Sequence, residues 1–246
     1  MKTLPNFTYK TIKLSFQKQK FLFHQHSNKQ VYFGHFDCFD QNGIPIDGLS
    51  KTPYLALSQY YPNLSFHGVK QSHSTNITSL LNQNTLFNSY PNSDALITNN
   101  FQQALYIKTA DCIPLIIFND DFIAILHLGH KGFFDGLLEH FLSQISYTDQ
   151  LMAYIGPSIH DCCFEVSSDF IKDKLDKNLI FNNDIIHKNN CYYLSINQLL
   201  LKKLSKFGLL SSHIVVSKFC TKCNPQYFSH RFNQTKNRIS HLIFKV

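Results

Sequence analysis

Three short segments of the chain end apolar runs on side chains that bind soft metals or act as nucleophiles. They are Gln71-Ser72-His73, Ala110-Asp111-Cys112 and His127-Leu128-Gly129-His130. The second and third flank one apolar stretch, which places them at the ends of neighbouring strands. One thiolate and two imidazoles make a three-ligand zinc set that leaves a fourth position for chemistry. Such a set also accepts copper, which nitrogen and sulfur ligands hold more tightly. The residues are too far apart for a compact finger, so the fold must assemble them. On spacing alone His127 and His130 are equal candidates. The same groups fit a Cys–His nucleophile pair for acyl transfer or deamidation, in which an imidazole activates the thiolate.

The elements that must position these residues follow from periodicity. Tyr9 to Phe36 alternates polar and apolar side chains and predicts antiparallel strands, followed by a turn at Asn42-Gly43-Ile44-Pro45. Thr52-Pro53 reads as an N-cap and first helical residue for a helix over Tyr54–Tyr60. Asn76 to Asn92, rich in Asn and Ser, predicts a loop with a short helical turn. Ala104–Thr109, Cys112–Phe118 and Phe122–His127 are apolar runs of strand length, with Asn119-Asp120-Asp121 as a hairpin connection. Phe134, Leu137, Leu138, Phe141, Leu142 and Ile145 recur with a helical period and predict one amphipathic helix.

Further on, Leu151–Ile155 reads as a strand and Ser167–Leu175 as a helix. Ser195 and Gln198 form a capping-box pattern opening a helix over Ile196–Phe207 that Gly208 closes. His213–Phe219 and Ile239–Val246 read as strands. Strands interleaved with helices, some joined by hairpins, predict a mixed α/β fold with residues 1–246 as one domain.

A hydrophobic fraction of 43% supports a core, and 23 Phe without any Trp mean that phenylalanine must fill it. The net charge of +7 favours anionic partners such as phosphate. The basic residues are scattered, which argues against a nucleic-acid footprint. No run reaches the ~20 apolar residues of a membrane helix, and Met1–Lys20 lacks the apolar core of a signal peptide. Seven cysteines show no disulfide framework, so free thiols in a reducing cytoplasm are expected. Cys220-Thr221-Lys222-Cys223 has no second Cys-x-x-Cys, and the adjacent Cys162-Cys163 reads as structural.

Six strings, in order, carry a resemblance. They are Asp94-Ala95-Leu96-Ile97-Thr98, Thr109-Ala110-Asp111-Cys112-Ile113-Pro114 and His127-Leu128-Gly129-His130-Lys131-Gly132, then Ile155-Gly156-Pro157-Ser158-Ile159, Phe164-Glu165-Val166 and Cys220-Thr221 with Phe228-Ser229-His230-Arg231 and Arg238. These resemble the DALVT, TADC-x-P, HAGWRG, IGP-x-I, FEV and CT…FSYR…GR strings of the YfiH/laccase-domain family. The resemblance implies an α/β fold related to the catalytic domain of the necrotizing toxins. It also implies a zinc-dependent purine nucleoside phosphorylase acting on adenosine, inosine or methylthioadenosine, with adenosine deaminase side activity. The metal ligands and catalytic residues it implies are His73, Cys112 and His127, so the family register selects His127 over His130. It assigns Lys131 and Arg231, the cations within its motifs, to anion binding. Gln71, two before His73 in an extended segment, faces the same side and lines the pocket. Asp111 serves either to orient a ligand or to cap a turn.

The implied partners are a purine nucleoside and phosphate, with neither nucleic acid nor membrane involved. Other activities within the family are a peptidoglycan-editing hydrolase of muramyl-amino acid precursors and a copper-dependent phenol oxidase. Three departures stand out. The family's Trp-Arg is His130-Lys131, which keeps the charge but loses the planar fork. The tyrosine of SYR is His230, and the N-terminal Gly-rich segment is reduced to Gly34-His35-Phe36.

Overall fold

Alternation in the first third of the chain folds as an antiparallel meander, β1 (Thr8–Phe16), β2 (Gln19–Ser27) and β3 (Val31–Phe36). The structure, a computed structural model, describes residues 4, 6–17, 19–28, 30–40, 43–46, 50–80, 85–146 and 148–246. Asn42 of the expected turn lies outside them. Helix α1 (Thr52–Ser58) starts with Pro53 in its first turn, but Lys51, not Thr52, is the N-cap. Strands β4 (Ser65–Lys70), β5 (Ile77–Ser79) and β6 (Phe87–Pro91) follow, so the segment read as a loop with a helical turn contributes two short strands. Both pair in parallel with neighbours already in place, β5 with Ala95–Thr98 and β6 with β4, and this tertiary pairing overrides a polar composition.

Four strands make the centre: β7 (Ala95–Thr98), β8 (Gln103–Thr109), β9 (Ile113–Phe118) and β10 (Ile123–Leu128). Asn119 Oδ1 accepts from the backbone N–H groups of Asp121 and Phe122, closing the β9–β10 hairpin as expected. The amphipathic stripe after it is two helices rather than one, α2 (His130–Phe134) and α3 (Leu137–Leu142). Gly136 breaks it at φ +94, a left-handed conformation that a side chain would resist. The apolar period survives because both helices bury the same face.

The chain ends with β11 (Met152–Ile155), β12 (Glu165–Val166), α4 (Ser168–Asp176), β13 (Ile185–Lys188), β14 (Cys191–Leu194), α5 (Ile196–Lys206), β15 (Ile214–Val216), α6 (His230–Asn233) and β16 (Ile239–Lys245). Ser195 precedes α5 but makes no side-chain cap; its hydroxyl turns to Asp161 instead, 3.4 Å away. Ser167 does cap α4, accepting from the Phe170 N–H.

Two large sheets stack. One runs β1-β2-β3-β16-β8-β4-β6 and the other β15-β11-β9-β10-β7-β5; β12-β14-β13 form a third. Strand period explains the layers. In β8, Leu105 and Ile107 enter the core between the large sheets while Ala104 and Tyr106 face α1. In β10, Ile123 and Ile125 enter the same inter-sheet core, and Ala124, Leu126 and Leu128 meet α2, α3 and α5. Helix, sheet, sheet and helices are therefore stacked as layers. Phe23, Phe33, Phe36, Phe66, Phe133, Phe141 and Phe244 are fully buried, each contributing about 1.5–3 kcal/mol of burial free energy. By the same alternation His127 sits on the inter-sheet side of β10, one residue from its end.

Candidate active site

His127 meets Cys112 because β9 and β10 are paired antiparallel, with Leu128 opposite Ile113. Cys112 immediately precedes β9. It is presented by Asp111, whose backbone takes φ +87. His73, in the loop after β4, also has a left-handed backbone, at φ +58. Ligand atoms of His73, Cys112 and His127 lie within 4.8 Å of one another. Cys112 Sγ is 3.8 Å from His73 Nε2, and the two imidazole rings sit edge to face with centroids 4.8 Å apart. Tetrahedral zinc separates its sulfur and nitrogen ligands by roughly 3.5 Å, so the donor set fits that ion.

One carboxylate arranges two of the three. Asp94 is fully buried and accepts from His127 Nδ1 at 2.7 Å and from the backbone N–H of His73 at 3.1 Å through Oδ1. Its Oδ2 accepts from the N–H and hydroxyl groups of both Ser72 and Ser74. Burial alone would raise the Asp94 carboxyl, but hydrogen bonds from His127 and Ser74 outweigh it and hold the group well below the usual carboxylate range. With Nδ1 committed to Asp94, the other ring nitrogen of His127 is left for Cys112. Burial opposes ionisation of Cys112, yet hydrogen bonds from His127 and His73 more than reverse this and depress the thiol. Burial likewise opposes charge on His127, and Asp94 and Cys112 raise it above the ordinary histidine value. Both shifts favour the charged forms, thiolate and imidazolium, when no metal is bound.

Gly129 makes room for this arrangement. A Cβ there would stand 2.2 Å from Cδ2 and 2.9 Å from Nε2 of His73. Its φ of −68° suits any residue, so close approach rather than backbone conformation is what requires glycine.

The trio opens on a cavity of about 700 Å³ lined from both large sheets, including Val69, Tyr106, Thr109, Ile113 and Leu128. Its cationic lining is Lys70, Lys108, Arg231 and Arg238. Gln71 lines it too, but both ends of its amide bind the Lys108 backbone, the Nε2 donating to the carbonyl and the Oε1 accepting from the N–H. His130 also lines the cavity, while its neighbour Lys131 is exposed on α2 and outside the cavity lining. Alternation of side chains around a helix turn explains why only one of the pair can face inward. Arg231 does line the cavity; its Nη1 donates to the Glu165 carbonyl at 2.8 Å and its guanidinium lies over the Phe164 ring. Asp111 caps turns: its carboxylate accepts from the Thr221 hydroxyl at 2.7 Å and the Arg231 N–H at 2.6 Å. Asp94, Lys70, Lys108 and Arg238 are contributions that sequence reasoning missed. For Asp94 the available signal was its place opening the Asp94–Thr98 string.

Fold and site together define a mixed α/β protein with a buried-rim Cys/His2 centre fed by a cation-lined cavity. Residues 55–245 match the family model described as multi-copper polyphenol oxidoreductase laccase, and the chain belongs to this YfiH/laccase-domain family. A purine nucleoside phosphorylase of Aquifex aeolicus is 28% identical over 148 residues, 59% of this chain and 68% of that one. One from Borreliella burgdorferi is 30% identical over 154 residues, 59% of this chain and 66% of the relative. A protein named adenosine deaminase RL5, from an unknown prokaryotic organism, is 28% identical over 149 residues, 56% of each chain. The matches thus span between about half and two thirds of these relatives. The crystal structure of Bacillus licheniformis YfiH superposes with a TM-score of 0.75 at 21% identity, covering 87% of this chain and 92% of that one. YlmD of Geobacillus stearothermophilus gives 0.74 at 19% identity, over 94% and 98%. No helix among the described residues is long and apolar enough to cross a membrane.

Proposed function

We propose that the chain is a zinc-dependent purine nucleoside phosphorylase, with deamination of adenosine as a side activity. The observation that carries this reading is the convergence of His73, Cys112 and His127 at a cavity whose other charged lining is mostly cationic. In phosphorolysis, phosphate oxygen bonds to the anomeric carbon as the bond from that carbon to the purine nitrogen breaks. The base leaves with a proton and ribose 1-phosphate forms. Lys70, Lys108, Arg231 and Arg238 attract the phosphate and offset its charge near the sugar. The apolar part of the cavity, with Tyr106, Ile113 and Phe164, suits a planar base. His73, Cys112 and His127 would hold the zinc, which when bound supplies Lewis-acid polarisation and an acidified water. Asp94 keeps His127 in the tautomer whose free nitrogen faces Cys112.

Incubation of the purified protein with inosine and phosphate is expected to release hypoxanthine and ribose 1-phosphate. Absence of both products from protein with its metal intact would remove the phosphorylase reading. A second reading has its own observation: Cys112, His127 and Asp94 form a chain of thiol, imidazole and orienting carboxylate, the arrangement of a nucleophilic triad. Alkylation separates the two. A free nucleophile is modified quickly at Cys112 with or without a chelator, whereas a ligand is modified only after metal removal.

A further inference from the structure

Four of the seven cysteines meet at one place that the site above does not use. Strand β11 pairs in parallel with β15, Ile155 opposite Val216, so the segments leaving both strands run side by side. Ser217 N–H donates to the Ile155 carbonyl, Ser158 bridges Cys220, and Thr221 N–H donates to the Ser158 carbonyl. Further along, the turn bearing Cys162-Cys163 comes over the turn of Cys220-Thr221-Lys222-Cys223. The Cys223 Sγ lies 3.5 Å from that of Cys162 and 3.1 Å from that of Cys163. Sulfur atoms of all four lie within 4.8 Å of one another, and all four are free thiols. The lone Cys-x-x-Cys of the sequence does have its partners; they are an adjacent pair rather than a second Cys-x-x-Cys.

We propose that Cys162, Cys163, Cys220 and Cys223 form a second metal site, a closed four-thiolate centre that binds one zinc ion and staples the two segments together. Tetrahedral zinc–thiolate bonds of ~2.3 Å place sulfurs about 3.8 Å apart, within the spread found here. Backbone N–H groups of His160, Lys222 and Cys223 point at Cys220 Sγ, that of His160 from 3.4 Å. Such donors orient a coordinating thiolate and balance its charge. Four sulfur ligands leave no open position, so the centre is structural rather than catalytic, and soft donors of this count select zinc over magnesium or calcium. Its position gives it a consequence. The same two segments hold Asp111: Ile159 N–H donates to the Asp111 carbonyl and Thr221 to its carboxylate. The staple therefore steadies the turn that presents Cys112.

The proposal is independent of the reaction at the Cys112 centre, and metal counting separates the two sites. Full-length protein purified under reducing conditions and exchanged against zinc is expected to hold two zinc ions per chain, Cys112→Ala one and Cys223→Ser one. Replacement of zinc by cobalt(II) should give a sulfur-to-metal charge-transfer band that Cys112→Ala keeps in large part and Cys223→Ser reduces to the weak band of the single Cys112 thiolate. Should Cys223→Ser fail to fold, the wild type still decides: Cys162 and Cys223, both exposed, are alkylated only after a chelator is added. Equal alkylation without chelator, an unchanged zinc count in Cys223→Ser, or a disulfide between Cys163 and Cys223 in the freshly isolated protein would each overturn the assignment.

Discussion

Replacing Asp94 with asparagine exchanges one oxygen for an amino group at the point where two ligands are fixed. The carboxylate receives three backbone or ring N–H groups from His73, Ser74 and His127, with Ser72 N–H and two hydroxyls besides. Hydroxyls can rotate to accept; N–H groups cannot. If the amide nitrogen takes the place of Oδ2, two backbone N–H groups, of Ser72 and Ser74, lose their acceptor. If it takes the place of Oδ1, only His73 N–H is orphaned, because His127 can accept through Nδ1 by moving its proton to the other nitrogen. An orphaned buried donor costs about 1–3 kcal/mol, so the second orientation wins. That choice puts a proton where His127, as a ligand beside Cys112, should offer a lone pair to the metal. Asp94→Asn is therefore expected to lose about 1–3 kcal/mol of stability and to bind metal about 10–100-fold more weakly. Thermal unfolding of the metal-free protein reads the first quantity, and zinc titration against a competing chelator reads the second. Wild-type zinc affinity in a folded Asp94→Asn would refute the tautomer argument even if stability fell.

Gly129→Ala should leave stability within about 1 kcal/mol, since its φ suits alanine, yet weaken zinc binding by pushing the His73 ring aside; an unchanged affinity in the same titration would contradict the close approach. Acid should unfold the protein early. Burial holds His241 down to about 3 and His26 and His67 to about 4, so each stays neutral in the fold while the unfolded chain takes up protons below pH 6.5. The resulting loss starts near pH 6.5 and grows toward the folded values, His241 alone costing about 2 kcal/mol at pH 5, and a Tm flat between pH 7.5 and 5 would exclude it. Arg231→Ala is expected to raise KM for phosphate more than KM for the nucleoside; equal effects in initial-rate kinetics would place it away from the anion. Asp111→Gly relieves a left-handed backbone worth about 1–2 kcal/mol but forfeits two charge-assisted hydrogen bonds worth about 1.5–3 kcal/mol each, so Tm should fall, and a rise would show that strain outweighs capping.

What could be read from the chain follows from which interactions are local. The runs that became β8, β9 and β10 were legible because these strands are buried on both faces and so are mostly apolar, β9 along its whole length. The break at Gly136 was not, because two short helices that bury one face keep the period of a single long one. Strands β5 and β6 escaped notice for the opposite reason: their neighbours, not their composition, make them strands. His73, Cys112 and His127 were visible as residue types, whereas Asp94 acts on a loop some twenty residues earlier and only tertiary structure joins them. Likewise Cys162-Cys163 and Cys220–Cys223 meet only through the parallel pairing of β11 with β15. Lys131 was assigned to anion binding because it is a cation within a family motif, and a motif does not tell which of two successive helical residues faces the cavity.

Two buried aspartates, rather than the ligands themselves, carry the geometry of the centre. His73 and Asp111 both sit in left-handed conformations, each costing a non-glycine residue about 1–2 kcal/mol. Beside each stands a carboxylate whose charge-assisted bonds, at about 1.5–3 kcal/mol apiece, exceed that cost: Asp94 receives the His73 N–H, and Asp111 receives Thr221 and Arg231. Ligand placement is thus set by loops that are locally unfavourable and held by a few strong contacts, while β9 and β10 supply the rigid floor. His130, which lines the cavity, and Lys131, which lies outside it, make none of these contacts. Departure from the family's Trp-Arg at these two positions therefore changes the cavity lining at His130 alone, while the contacts that fix His73, Cys112 and His127 come from other residues.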